Sequence, residues 1–504
     1  MINKHLITTL AAAGIFLSGC GHTAFPISST ENNTLTPPLQ NGGGVPNTDA
    51  GTPLPVRPNY APAQLVDYIA QSGDTLPALA AHFNTTVPEI MAANPIIPSD
   101  ATTMPPGLPM KIPIYFKALW ANPFKVLPDA AFVDGPAQIG FNTPAFVASQ
   151  PGWLNNYVTY AGGQYRTGAE MVDYVATNFS VSPRLLLAIM EYSAGALSQR
   201  IMPDRKYILE YAQPYFADAP NLVYLQLVWA ADTLNNGYYG WRAGNLIEFD
   251  EPDGTLIRPD PWQNAASVGI QYFFSRTKFG SNYDNAVGSD GLSKTYQALF
   301  GNPWNLDIKL IPGSLEQPPL QFPFPPGQVW TYTGGPHTGW GSLGSQPFAA
   351  VDFGPPSEHH GCFTPDPQNY ATAVADGLVV RSGPDGIMLD LDGDGDERTG
   401  WDIYYLHLSS PTRMPVGKEL HAGDLIGYPS CQGGELVTGT HVHIARKYNG
   451  EWILADGALA FNFEGWKIFN GKAAYQGTMK RNGITVTACA CSDLYSQIRA
   501  DFSP

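Results

Sequence analysis

Apolar and polar positions change rhythm several times along this chain. Residues 6–17 form a continuous apolar run behind Lys4 and His5, shorter than the ~20 residues a membrane-spanning helix needs. From 21 to 62, Ser, Thr, Asn, Pro and Gly dominate; such a stretch buries no core and is expected to be a flexible tether. Over 63–116 the pattern predicts strand, helix, helix, strand. A Gly73-Asp74 turn leads into a helix capped by Asp74 or Thr75, and a second helix is capped by Thr86 and ends near Asn94. Residues 117–320 carry longer helical patterns. Ser182 and Pro183 open one of them, with Leu186, Ile189 and Met190 at helical spacing. A Pro-rich stretch, 317–327, reads as an extended linker. Short apolar runs between Gly, Asp and Asn turns then predict strands to 460, and alternation with Asn-Gly turns predicts a β-meander over 461–504. The expected fold is multidomain: a small βααβ module, a mainly α middle domain over 117–320, and a mainly antiparallel β domain over 321–460 with its extension.

Composition narrows the setting. A net charge of −16 argues against a nucleic-acid partner, which would require a basic patch. With 52 Gly, 46 Pro and only 14% charged residues, the chain fits β-rich exported domains with many turns. The N-terminal charge and apolar run read as a processing signal over 1–20. It ends in Leu17-Ser18-Gly19-Cys20, which resembles a bacterial lipobox. That resemblance implies cleavage before Cys20, lipid on Cys20, and a membrane-anchored protein facing the cell wall. Four cysteines remain, an even number consistent with disulfides in an exported chain. Three pairings are open. Cys362 with Cys431 is favoured, because same-face neighbours such as Cys489 and Cys491 sit about 7 Å apart on a strand and make an awkward pair.

The 63–116 module resembles the LysM peptidoglycan-binding family through Gly73-Asp74-Thr75-Leu76, Phe83, Ile90, Ala93-Asn94, Gly107 and Ile112-Pro113. The resemblance implies binding to wall glycan containing N-acetylglucosamine, with Gly73, Asp74, Thr75 and Asn94 as candidate contacts.

The chemistry-bearing residues lie in the β domain. His441 and His443 are two apart in a strand pattern, so both imidazoles point to one face. His337 stands in a Gly-rich loop, Asp352 on a short apolar strand and His407 on another. Two imidazoles and a carboxylate suit Zn²⁺ with a fourth position left open, and a free imidazole beside it suits acid–base work. In this order the residues resemble the lysostaphin-type, LytM-like zinc endopeptidases. The resemblance implies His337, Asp352 and His443 as zinc ligands, with His407 and His441 as the catalytic pair. Val416-Gly417 and residues 422–427 also match the approach to the His-x-His strand. Asp352 follows His337 by 15 positions, a wider gap than in most of the family, which points to the beta-lytic, staphylolysin-like branch. His359, His360 and His421 read as loop or structural residues.

Three further readings stay open. Asp390, Asp392, Asp394 and Asp396, with Gly395 at a sharp-turn position, resemble the start of an EF-hand-type Ca²⁺ loop, but Trp401 stands where the bidentate Glu belongs. Glu191, near the end of an apolar helix, is faintly similar to the general acid of lysozyme-type transglycosylases, which would make the protein bifunctional. Aromatics such as Trp229, Tyr238, Tyr239, Trp241 and Tyr272 suit either a glycan groove or the core. The expected function is a wall-held, zinc-dependent peptidoglycan endopeptidase. Its alternative is a non-catalytic wall-binding or amidase-activating lipoprotein, which would have lost ligands or catalytic histidines.

Overall fold

The computed structural model describes residues 57–501, apart from 118–120, 217, 307, 360, 435–436 and 492. Cys20, the signal segment, nearly all of the tether and His360 lie outside the described residues. Among the described residues, no helix is long and apolar enough to cross a membrane.

The first module pairs strands Gln64–Ile69 and Pro109–Ile114 antiparallel and packs helices Leu76–His82 and Val87–Ala93 on them. Thr75, rather than Asp74, caps the first helix by accepting from the Ala78 amide. Thr86 and Glu89 close a reciprocal capping box on the second. Asp74 instead stays inside the module, accepting from the Tyr68 hydroxyl at 2.7 Å and the Gln71 amide at 2.7 Å. Burial raises its pKa to about 6.

The middle region is helical, as expected, with a short hairpin, Val158–Ala161 and Gln164–Thr167, ahead of helices Gly168–Phe179 and Pro183–Ala194. The longest helix, Leu222–Arg242, places Tyr238, Tyr239 and Trp241 in the core; Trp229 and Tyr272 pack against that core. These aromatics therefore fill the interior and do not form a glycan groove.

The C-terminal sheet is antiparallel throughout. Its strands run in the order Glu419–Leu420, Gly377–Gly383, Gly386–Asp390, Trp401–Leu406, Val442–Tyr448, Phe348–Gly354, Val329–Thr338 and Gln497–Arg499, with Glu451–Ile453 also paired to Val442–Tyr448. Its two faces enter two different cores. Val351, Phe353, Ile403, Tyr405, Val442 and Ile444 pack within the β domain. Ala350, Tyr404, Leu406, Ala445 and Trp452 pack into the core of the helical region. The 461–504 extension forms a four-stranded sheet and returns Gln497–Arg499 to the main sheet's edge. The Pro-rich stretch is not a loose linker. Its alternate residues Leu320, Phe322 and Phe324 are buried in the β core, because an extended chain turns every second side chain inward.

The seams between these parts are polar and buried. Arg242 donates to Glu451 at 2.8 Å, to Asp129 at 3.0 Å and to the Ser72 carbonyl, joining the β domain, the helical region and the first module. All three charged side chains are nearly inaccessible to water. Removing one member of a buried pair strands the other, at a cost of about 3–5 kcal/mol. Arg242→Ala is expected to lower unfolding stability by that amount, measured by denaturant titration, whereas a surface variant such as Lys294→Ala should change it by under about 1 kcal/mol.

Both pairs of cysteines form disulfides. Cys362–Cys431 is present as expected. Cys489–Cys491 is also closed, contrary to the strand argument, because the chain leaves its strand at Thr487 and brings the two Cα atoms to 5.0 Å.

Candidate metal centre

Val442–Tyr448 is the central strand of the site. Its register places His443 opposite Asp352 on one side and Leu406 on the other. Opposed residues in an antiparallel pair share a face, so His443 and Asp352 meet laterally, and His407 follows directly from the neighbouring strand. His407 has a φ of 61°, a left-handed conformation that bends the chain as the strand ends. His337 arrives from Val329–Thr338, whose pairing with the Asp352 strand is interrupted by register shifts around Gly334 and His337. Such bulges re-aim a side chain. Gly334 lies so close to the Asp352 carboxylate that a Cβ there would collide with it.

The distances among the ligand atoms are short. His337 Nε2 lies 3.0 Å from His443 Nδ1 and 3.3 Å from Asp352 Oδ1, and His443 Nδ1 lies 3.4 Å from the same Oδ1. His337 is 2% exposed and both Asp352 and His443 are 5% exposed. The remaining ring nitrogens are fixed. His337 Nδ1 donates to the Gly335 carbonyl at 2.8 Å and His443 Nε2 to the Gly339 carbonyl at 3.0 Å. Each imidazole therefore turns a lone pair toward the other and toward Asp352 Oδ1, a buried oxygen that accepts no hydrogen bond. Three lone pairs converging in a dry site require a cation. Zn–ligand bonds of about 2.0–2.1 Å at tetrahedral angles separate neighbouring ligand atoms by about 3.3 Å, so the residues fit zinc. Burial works against ionisation of Asp352, but positive charge among the facing rings outweighs it and holds the carboxyl well below its usual range.

His441 and His407 stand beside this triangle. His441 Nδ1 donates to the Gly439 carbonyl at 2.8 Å, which leaves Nε2 bare and 3.7 Å from Asp352 Oδ1. His407 Nδ1 donates to the Gln432 carbonyl at 3.2 Å, and its ring centre is 4.6 Å from that of His441. Burial, with His441 and His443 adding to it, pushes the His407 imidazole down to about 3, so it is neutral near pH 7. In this tautomer His407 also offers a lone pair, and it becomes a donor to an oxyanion only after taking a proton. Tyr475, from the C-terminal extension, stacks on His337 with ring centres 4.1 Å apart. No motif marks that contact in the sequence.

All five residues line one cleft of about 1310 Å³. Its opposite wall comes from the helical region: Gly162, Gly163 and Arg166 on the hairpin, then Tyr174 and Tyr224. The Tyr174 hydroxyl donates to Asp385 of the β domain at 2.7 Å. Asp232 and Asn236 of the long helix hold the loop between the His337 and Asp352 strands through Ser342, Ser345 and Gln346.

Other sequence-derived candidates fall elsewhere. Glu191 Oε2 accepts from the backbone amides of Leu197 at 2.7 Å and Ser198 at 3.1 Å. It closes the chain after its own helix, does not line the histidine cleft, and has no general-acid geometry. Glu191→Gln is accordingly expected to leave wall-lytic activity within about twofold of the parent in a turbidity assay. The proposed glycan contacts of the first module are also occupied. Gly73 lies against the Arg242 guanidinium, and Asp74 is buried. Thr75 caps its helix, and Asn94 bridges the Ile90 carbonyl and the backbone of Lys111. In this arrangement their polar groups serve the fold. Asp396 is taken by Arg398, with contacts of 2.6 and 2.7 Å, and is not free for a metal. His421 is exposed, 3.4 Å from Asp376.

Comparison with known proteins agrees with this layout. Residues 68–113 match the family model for the LysM domain, and residues 125–314 match that for the N-terminal domain of LasA. Protease LasA from one Pseudomonas aeruginosa strain is 23% identical over 372 residues, covering 68% of this chain and 81% of that protein. The same protein from a second strain is 22% identical over 375 residues. Among solved structures, the M23 metalloprotease pseudoalterin is 23% identical and matches 34% of this chain and 96% of its own, with a TM-score of 0.27. The catalytic domain of lysostaphin from Staphylococcus simulans is 25% identical over 25% of this chain and 88% of its own, with a TM-score of 0.17. Likeness at that level leaves the fold resting on the strand registers themselves. Taken with the two matched domains, the relation to LasA makes the chain similar to a LysM-containing, LytM-like peptidase.

Proposed function

We propose that this protein is a zinc-dependent endopeptidase that hydrolyses peptide cross-bridges of peptidoglycan. The observation that carries the reading is the convergence of His337 Nε2, Asp352 Oδ1 and His443 Nδ1, all bare, at 3.0–3.4 Å from one another. When bound there, zinc supplies Lewis acidity, polarising a carbonyl and acidifying water to a pKa near 7. The chain's own residues do the rest. His441 Nε2 faces the cleft as a bare base that takes a proton from the attacking water and returns it to the amine as the C–N bond breaks. His407, neutral and held by the Gln432 carbonyl, stands beside His441 in the cleft and helps orient the attacking water. The cleft wall from the helical region excludes bulk water on the side opposite the sheet.

The LysM domain supports peptidoglycan as the partner, since tethering raises local substrate concentration. With Gly73 and Asp74 engaged inward, glycan would use other surfaces of the module or a rearranged seam. The apolar run and Cys20 support export and lipid anchoring at a membrane facing the wall. A non-catalytic role is disfavoured because all five cleft residues are present and gathered. The test is digestion of purified peptidoglycan by the zinc-loaded chain. New amino groups should appear without new reducing ends, whereas reducing ends alone would assign glycan cleavage and overturn the reading.

A further inference from the structure

The hairpin that joins Gly386–Asp390 to Trp401–Leu406 lies outside the catalytic cleft and ends in an acidic loop. Carboxylate oxygens of Asp390, Asp392 and Asp394 all lie within 4.8 Å of one another. That span is about twice a Ca–O bond of 2.3–2.6 Å, so a single ion can touch all three. Gly395 has a φ of 88° at the loop's sharp turn, as an EF-hand-type loop requires. An acidic loop alone would be a solvated tip.

The second observation is Asp402, one residue past the place of the missing loop glutamate. It is fully buried, and neither carboxylate oxygen accepts a hydrogen bond. Its register partner is Asp390. The neighbouring Leu391 amide donates to the Trp401 carbonyl at 2.9 Å, which makes Asp390–Asp402 the closer, non-hydrogen-bonded kind of pair. Two carboxylates therefore share one face, directly opposed, and like charges so placed repel. The cations nearby are shared with other carboxylates. Lys447, registered on the other side of Asp402, lies 3.5 Å from Glu397; Arg381 is bound to Glu397 and Arg398 to Asp396. Burial raises Asp402 well above the usual carboxylate range; Glu397, Asp390 and Asp392 add to this, and the Lys447 ammonium offsets only part of it.

We propose that Asp390, Asp392 and Asp394 bind a Ca²⁺ ion, whose charge offsets the buried, unbonded Asp402 carboxylate opposed to Asp390 on the returning strand. Calcium suits the site better than magnesium, because a loop of carboxylates and carbonyls offers many oxygens but no rigid octahedron. The strand that carries Asp402 ends at Leu406 and leads directly into His407, so the ion clamps the hairpin that delivers a cleft residue.

The site stands independently of the zinc reading, and its test separates the two. Thermal unfolding of the full chain should shift upward by about 3 °C in millimolar CaCl₂. The same shift should persist in His443→Ala, which lacks a zinc ligand. Asp392→Asn with Asp394→Asn, at the solvent-facing loop, should abolish it. Asp402→Asn should weaken calcium affinity at least tenfold by calorimetric titration. No calcium shift in the parent chain, or an undiminished shift in the double variant, overturns the site. An Asp402→Asn protein that binds as tightly as the parent overturns the role of Asp402.

Discussion

His443→Ala is expected to lose both bound zinc and wall lysis while keeping its fold. His443 is the shared neighbour of the other groups: Asp352 lies across one strand and His337 Nε2 faces its Nδ1 at 3.0 Å. Without it two ligands remain, too few for a stable tetrahedral site. Zinc analysis should fall from about one ion per chain to near zero, and lysis to background. Stability without metal should change little, because the deletion also removes a lone pair from a site where three repel. A variant that kept stoichiometric zinc would contradict the ligand assignment.

His441→Ala should separate metal from chemistry. Its Nδ1 is spent on the Gly439 carbonyl, and its Nε2 stands 3.7 Å from the ligand oxygen, beside the triangle and outside it. Zinc content should stay near one per chain while kcat falls by about 10²–10⁴-fold, the usual range for losing a positioned base. Loss of zinc in this variant would make His441 a ligand. Unchanged kcat would end its role as the base.

Much of the site was legible because its signals are local. Two histidines at i and i+2 share a face of any strand, so His441 and His443 could be read together without knowing what lies beside them. Thr86 and Ser182 were legible as caps for the same reason, each bonding an amide within its own first helical turn. The 15-position gap between His337 and Asp352 made His337 the hardest residue to place. The structure spans that gap with one hairpin connection, which adds loop length without separating the strands. Bulges then aim His337 at Asp352. Bulges leave no periodic trace, and neither do the Asp232 and Asn236 side chains that fasten the loop from another region.

What could not be read was mostly long-range. Arg242 joins residues from three regions, and nothing at position 242 announces it. Glu191 sits in a pattern that suits a catalytic acid, but its hydrogen bonds to Leu197 and Ser198 come from the chain reversal after Gly195, a left-handed residue that ends the helix. The motif residues Gly73 and Asp74 were identified by resemblance. That they face Arg242 and the module interior depends on how the module docks. The helical region looked separable because its pattern is self-contained, whereas it shares a core with the sheet and walls the cleft.

Anomalous diffraction at the zinc edge, on crystals of the full chain, tests the central assignment most directly. The account predicts one strong peak about 2.0–2.2 Å from His337 Nε2, Asp352 Oδ1 and His443 Nδ1, with His441 Nε2 farther away. A peak bound through other residues, or no peak from zinc-loaded protein, would contradict it.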